Sequence, residues 1–424
     1  MTASTRTLAA PRVGSPKAAL QHRPFRLVYF GGFASNIGTW MQNVALISFA
    51  DQIENTALFV GVITFAQLGP MLLVSPFGGV IADLVNRKTL MIGAALVQGI
   101  LSVVLGFLAL GDTPNRVALV ACVAGIGLAS AINGPASQAT LPALVGIEDL
   151  PGAVSLNSAQ MNLSRVIGPI IVVAAWFQVP AHVFFVNAAT YLFVIGAIAL
   201  AQFDAKPPPM HHQESPIQRL LGGIALARAD SVISSILISI SVYSFFSLVF
   251  IYQMRGFART ELGLGPDRYY LLFACFGLGA AAGAVAVGTI LSSIAHTLLA
   301  KVGFASFSAT LALYSLNRAP TLAYLLVAAT GFCYFIVVTT LSTSLQQTVS
   351  HEARARVMGL WMMGWAGLVP VGSLVGGYLI DQFGHTAITL GGAAVALMLA
   401  GTVNLGSGSS RLRPIVPELQ SDSL

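Results

Sequence analysis

The sequence predicts an all-α membrane protein with twelve transmembrane helices in two pseudo-symmetric six-helix bundles. Of its 424 residues, 56% are apolar and 8% are charged, and the mean hydropathy is +0.80. A soluble domain carries roughly 25% charged residues, so composition excludes that class. The charged residues divide the chain into long apolar segments, each sufficient for a helix of about 20 residues that crosses a bilayer.

Twelve such segments follow one another, with boundaries soft by a few residues. They are 27–50, 57–82, 89–111, 117–141, 153–176, 182–203, 231–254, 269–292, 297–316, 321–344, 357–380 and 384–405. The predicted organisation is an N-terminal tail (1–24), a first bundle (25–203), a linker with a surface helix (204–230), a second bundle (231–405) and a C-terminal tail (406–424).

The distribution of Lys and Arg predicts that both termini are cytoplasmic. With the N-terminus inside, fifteen basic residues fall on the inner side, five on the outer side, and Arg165 falls within a segment. Basic residues near helix ends favour the cytoplasmic face of a membrane. The net charge of +6 is spread over segment ends, so it indicates membrane orientation and no nucleic-acid partner.

The linker separates two halves that show weak self-similarity. The segments that begin at Gly134 and at Thr339 each end a helix and lead through a short loop into a helix with Gly and Pro. Related halves are the basis of alternating access in secondary transporters.

The stretch from Pro76 to Lys88 closes the connection between helices 2 and 3. It holds Gly79 within an apolar segment, Asp83 at its edge, and the pair Arg87–Lys88 before the next helix. These residues resemble the loop 2–3 signature of the major facilitator superfamily, G-x-x-x-D-x-x-G-R-[RK], with Asn86 in place of the second glycine.

Further stretches resemble one branch of that superfamily. Residues 35–45 are similar to its helix 1, and residues 140–169 to its helix 4–5 region. The branch is the enterobactin-exporter-like group, or transmembrane secretion effectors, which contains siderophore and multidrug exporters. The resemblance implies a secondary active exporter of small amphipathic molecules in the bacterial inner membrane, with alternating access and proton antiport. The glycines that end the superfamily's antiporter signature are absent after Pro169, which weakens the inference of antiport.

Polar helix faces are the candidate substrate site. In the superfamily, helices 1, 4, 7 and 10 line a central cavity, and three of these helices carry such faces here. Arg165 lies about ten residues into helix 5, roughly 15 Å deep at 1.5 Å per residue, where a charge is costly and is a functional candidate. The predicted substrate-binding residues are Asn36, Trp40, Asn43, Asn133, Ser137, Arg165, Thr339 and Thr343. The alternative is that these groups only join helices by hydrogen bonds or packing.

Two further roles follow from the charges at the helix ends. The resemblance implies a cytoplasmic latch between the halves, formed by Gly79, Asp83, Arg87, Lys88, Arg354 and Arg356. A proton-coupled carrier needs a titrating group. No Asp or Glu lies at mid-depth, so Asp51 is the first candidate and Asp83 the second.

Other functions stay open within the same fold. A lipid or metabolite carrier without proton coupling, or a non-transporting sensor, fits the same sequence. An enzyme is disfavoured because no nucleophile–base pair and no G-x-x-x-x-G-K-[ST] loop is present. We expect no metal or cofactor, a monomer, and a small-molecule substrate, with the bilayer as environment and protons as the candidate coupling ion.

Overall fold

The computed structural model describes residues 12–175, 177, 179–203, 216–350 and 353–405, with side chains omitted at 73–84, 216, 217, 219 and 355. All regular structure in these ranges is helical. The helices are α1 (Pro16–Ala19), α2 (Arg23–Ile53), α3 (Ala57–Leu84), α4 (Arg87–Leu110), α5 (Arg116–Ala174), α6 (Pro180–Leu200), α7 (Pro216–Ala229), α8 (Ser231–Val242), α9 (Val249–Thr260), α10 (Pro266–Gly288), α11 (His296–Leu316), α12 (Pro320–Thr348), α13 (Arg354–Met362), α14 (Leu368–Phe383) and α15 (His385–Thr402).

The described ranges contain nine helices that are long and apolar enough to cross a membrane, when α8–α9 and α13–α14 are each counted as one. One of them, α5, has 59 residues and turns at Gly146, where φ is 77°. Helices α2 and α3 are not counted among these nine, and they have 31 and 28 residues. The all-helical prediction is therefore confirmed, and the count of twelve stays a prediction.

The helix ends define two ends of the molecule. The near end carries the start of α2, with His22, Lys88 and Arg354, and the far end carries the end of α2, with Asp51 and Asp381. Residues 23–203 are called the first half and residues 231–405 the second half.

The segment before α2 packs onto the turn of α5 at the near end. Asp149 accepts hydrogen bonds from the backbone N–H of Gly14 at 2.9 Å and from His22 Nε2 at 2.8 Å. Ala19 and Phe25 are buried in an apolar cluster with residues on both sides of this turn. The sequence predicted only a tail in this region and gave no sign that the segment packs against α5.

Buried amides join helices within the first half. Asn187 of α6 donates to Gln42 of α2 at 2.9 Å, and the Tyr191 hydroxyl donates to Gln98 of α4 at 3.0 Å. In hydrocarbon such groups must find partners within the protein.

A π-helical turn interrupts two of the spanning helices of the second half. Tyr243–Ser247 separates α8 from α9, and Met363–Gly367 separates α13 from α14. Turns of this kind are frequent at functional sites. The sequence prediction treated both segments as regular helices.

The halves contact each other most extensively along two helix pairs, α3 with α14 and α5 with α10. Gly61 makes the first contact close, because a Cβ there would lie 2.6 Å from the backbone O of Ser373.

Candidate functional site

Arg165 lies in α5 where the two halves meet. Its Cζ is 4.8 Å from the ring centroid of Trp40 in α2 and 5.3 Å from that of Phe335 in α12. Gly168, one turn later, allows this approach, because a Cβ there would lie 2.8 Å from the Cβ of Trp40. The guanidinium therefore sits between one ring from each half.

A second layer of rings surrounds this pair. Phe273 of α10 lies 6.2 Å from Trp40, and Tyr334 lies 5.1 Å from Phe335 between centroids. The Tyr334 hydroxyl accepts a hydrogen bond of 3.2 Å from Trp365 Nε1, which belongs to the second π-helical turn. We call Trp40, Phe273, Tyr334 and Phe335 the aromatic cage.

The charge of Arg165 has no carboxylate partner among the side chains that the structure describes. Its Nε is buried without a hydrogen-bond acceptor, while the side chain as a whole is half-buried. A cation over an aromatic face is stabilised by about 0.5–2 kcal/mol per contact. The stabilisation from two such contacts is smaller than the hydration free energy that a charge loses on burial.

The polar face of α2 divides between packing and accessible groups. Asn43 accepts a hydrogen bond of 2.7 Å from Gln67 of α3, which is the interhelical role left open by the sequence. Asn36 and Trp40 are half-buried, and Asn36 lies one turn from Trp40 on the side of the near end.

The other predicted substrate-binding positions lie on α5 and α12. Asn133, Ser137, Thr339 and Thr343 are half-buried. The Oδ1 atom of Asn133 is buried without a hydrogen-bond partner. These residues remain candidates for substrate contact.

An ion cluster joins the far ends of the halves. Arg259 of α9 contacts both carboxylate oxygens of Asp51 in α2, at 3.0–3.2 Å from its Nε and 3.1 Å from its Nη2. Arg255 Nε lies 3.3 Å from Asp51 Oδ2, and its Nη1 donates to the backbone O of Leu264. We call Asp51, Arg255 and Arg259 the far-end lock.

Two more polar contacts reinforce this closure. Asp381 of α14 accepts hydrogen bonds from the backbone N–H groups of Ala57 and Leu58, at 2.8 and 2.9 Å. These are the first residues of α3, where free N–H groups and the helix dipole favour an anion. Gln253 of α9 donates to the backbone O of Ala57 at 2.9 Å.

The sequence identified Asp51 as a candidate residue but did not reveal either of its arginine partners. The predicted helix 7 ended at residue 254, which placed Arg255 and Arg259 in a loop. The structure continues α9 to Thr260 and buries Arg255 to 4% exposure. The available signal was spacing, because positions 255 and 259 are one turn apart and share a helix face.

The predicted latch lies at the near end, where Arg87, Lys88 and Arg354 donate hydrogen bonds to backbone carbonyl groups of their own halves. Arg87 donates to the backbone O of Ala139 at 2.9 Å, and Lys88 to those of Ala199 and Ala201. Arg354 donates to the backbone O of Gln346. Arg356 packs near Gly222 of α7. The side chain of Asp83 and the surroundings of Gly79 lie outside the described residues.

Known proteins support this architecture. A family model described as transmembrane secretion effector matches residues 14–417. The enterobactin exporter EntS of Escherichia coli O1:K1 / APEC is 25% identical over 342 residues, which cover 80% of this chain and 81% of that protein. EntS of Shigella boydii serotype 4 (strain Sb227) gives the same identity and shares.

Solved structures show the same fold at lower identity. The nucleoside transporter NupG has a TM-score of 0.73 and 13% identity, covering 89% of this chain and 97% of that one. An inward-facing, occupied bacterial homologue of the human lysosomal transporter Spinster has a TM-score of 0.70 and 14% identity, covering 90% and 96%. The apolar helices and the likeness to exporters point to a multi-pass inner-membrane protein. The chain belongs to the transmembrane secretion effector family, whose members are secondary transporters of the major facilitator fold and not enzymes.

Proposed function

We propose that this protein exports small amphipathic molecules, siderophore-like or drug-like, from the cytoplasm by alternating access. The observation that carries the proposal is Arg165, whose guanidinium lies between aromatic rings of both halves. A charge at this depth in a membrane helix is costly and marks a candidate functional site. The likeness to enterobactin exporters supports the direction and the substrate class.

The near end faces the cytoplasm in this proposal, and the described state is closed at the far end. The basic residues of the near end favour that orientation. The far-end lock and the Asp381 contacts hold the opposite side closed. Substrate enters past Asn133, Ser137, Thr339 and Thr343 and reaches Asn36, Trp40 and Arg165.

The far-end lock offers a route for proton coupling through Asp51. The lock must separate when the far end opens, and Asp51 then exchanges its two arginines for a proton from outside. When the far end closes, Arg255 and Arg259 return and displace the proton, which must leave toward the near end for its movement to be coupled to export. Asp83 is the second candidate for this role. The near-end latch (Gly79, Asp83, Arg87, Lys88, Arg354 and Arg356) closes the opposite side in the outward-facing state.

Everted membrane vesicles test the transport function. Vesicles with the protein should accumulate enterobactin faster than vesicles without it when a pH gradient is imposed, and a protonophore should abolish the difference. Ethidium serves as the drug-like probe in a parallel series. Equilibration without accumulation would indicate a facilitator. The absence of protein-dependent movement of both probes would contradict export.

A further inference from the structure

We propose that the site around Arg165 selects organic anions in which the acidic group adjoins a flat aromatic ring. This inference rests on the proposed function in one respect, namely that substrates pass through this site. It specifies the charge and the shape of the ligand, and neither property follows from the fold.

The first argument is charge. Arg165 is a cation in the membrane interior without a carboxylate partner among the described side chains, and its Nε has no acceptor. The buried carboxylate of Asp51 is engaged by arginines, and Asp381 is engaged by the N–H groups of α3. An anionic ligand would supply the missing partner, and a charge-assisted hydrogen bond is about twice as strong as a neutral one.

The second argument is the position of the guanidinium. Its Cζ lies over the rings of Trp40 and Phe335, at 4.8 and 5.3 Å from their centroids. Aromatic rings attract the cation without accepting hydrogen bonds in the plane of the guanidinium, and its planar fork of N–H groups matches a carboxylate. The two rings therefore hold the cation without taking the place of an anionic acceptor.

The third argument is the shape of the surroundings. Trp40, Phe273, Tyr334 and Phe335 come from three helices and both halves. A flat ring beside the acidic group would pack against these rings, since aromatic pairs at 4.5–7 Å contribute about 0.5–1.5 kcal/mol beyond area burial. A ligand that contacts rings of both halves also binds at the surface that alternating access rearranges.

The same charge disfavours cationic compounds. A ligand cation would face Arg165 at close range, where like charges repel strongly in a medium of low dielectric. The site is therefore predicted to discriminate among ligands of equal size by charge alone.

A matched set of three ligands tests the selection. Binding of 1-naphthoate, 1-naphthamide and 1-naphthylmethylammonium to the full chain in lipid nanodiscs is measured by calorimetry at neutral pH. We expect naphthoate to bind at least about tenfold more tightly than the amide, equivalent to about 1.4 kcal/mol, and the ammonium compound to bind most weakly. Equal affinity for the anion and the amide would overturn the proposal.

Variants assign the preference to this residue. Arg165→Gln should reduce the ratio of the affinities for naphthoate and naphthamide to near one. Trp40→Leu should weaken the binding of both ligands and leave the ratio of their affinities unchanged. Arg116→Gln is the matched control, because it removes an exposed arginine paired with Glu54 at the rim of the first half. A ratio that survives in Arg165→Gln would refute the assignment.

A measurement on the wild-type chain covers the case in which Arg165→Gln does not fold. Phenylglyoxal modifies accessible arginines, and mass spectrometry reports the extent at Arg165. Naphthoate should slow this modification at Arg165 but not at Arg116, and naphthamide should not slow it. Modification of Arg165 at an unchanged rate in saturating naphthoate would contradict the proposal.

The outcomes separate this inference from the proposed function. If the protein binds the anion selectively but the vesicles show no transport, the proposed export is refuted and the proposed anion site stands. If the vesicles transport enterobactin but the naphthyl ligands bind without a charge preference, the anion site is refuted and the proposed export stands.

Discussion

Replacing Asp51 with Asn should shift the carrier toward a state that is open at the far end. Asp51 is 2% exposed and contacts Arg255 and Arg259 across the boundary between the halves. The substitution keeps the size of the side chain and removes its charge. Arg255, at 4% exposure, would then be a buried cation without its counter-ion.

The size of the shift follows from how deeply the ions are buried. Removing one partner of a buried ion pair typically costs about 3–5 kcal/mol. The Arg259 side chain is 35% exposed, so its share is reduced by solvent. We therefore expect about 2–4 kcal/mol, which changes the equilibrium between closed and open far ends by roughly 30- to 1000-fold.

Double electron–electron resonance between two spin labels measures this equilibrium. Asp112 of the first half and Ala319 of the second half are exposed at the far end and accept the labels after substitution by Cys. The three native cysteines, Cys122, Cys275 and Cys333, are replaced first. The wild-type background should give short distances, and Asp51→Asn should add a population at longer distances.

Glu54→Gln provides the control. Glu54 pairs with Arg116 at 2.6 Å within the first half, so its loss should leave the distances unchanged. If Asp51→Asn gives the same distance distribution as the wild type in a folded sample, the far-end lock does not hold the halves together.

Three further predictions concern other parts of the molecule. Asp83→Asn should slow or abolish transport in vesicles at unchanged amounts of folded protein, and wild-type rates would refute the latch. Asp149→Asn should lower the Tm at neutral pH, because hydrogen bonds from His22 and from the Gly14 N–H lower the pKa of this carboxyl in the folded protein. The stabilisation is present above the ordinary pKa of an Asp, about 4, and disappears as the pH falls through the lowered value. A Tm difference that persists at low pH would contradict this reasoning. Gln42→Leu leaves the buried side-chain NH2 of Asn187 without its acceptor and should lower the free energy of unfolding by about 1–3 kcal/mol, as measured by thermal or denaturant unfolding; an unchanged stability would show that this NH2 group finds another acceptor.

One physical reason led from the sequence to the helices, which are confirmed, and to Arg165 as a candidate site residue, which stays a prediction. A bilayer has no water to satisfy polar groups, so long apolar segments must be helices and a charge among them is conspicuous. That signal fails at helix ends, where charges are ordinary. Arg255 therefore resembled a loop residue, although it is buried against Asp51.

The partners of polar groups were also beyond the sequence. Asn36 and Asn43 share one face of α2, yet Asn43 bonds to Gln67 while Asn36 remains half-buried without that neighbour. The difference depends on which helix packs beside each turn, and periodicity along one helix carries no such information. The cage around Arg165 similarly needs rings from α2, α10 and α12, which are far apart in the chain.

The far-end lock sets an energetic requirement on the proposed cycle. A ligand shifts a conformational equilibrium only by the difference between its affinities for the two states. If the lock stabilises the closed far end by about 2–4 kcal/mol, a substrate that prefers the open state by only tenfold supplies about 1.4 kcal/mol and leaves that end mostly closed. The remainder must come from another source, and a proton bound to Asp51 in the open state is the candidate that the proposed cycle offers. Substrate alone should therefore open the far end more completely in Asp51→Asn than in the wild type, and the same spin labels measure that difference.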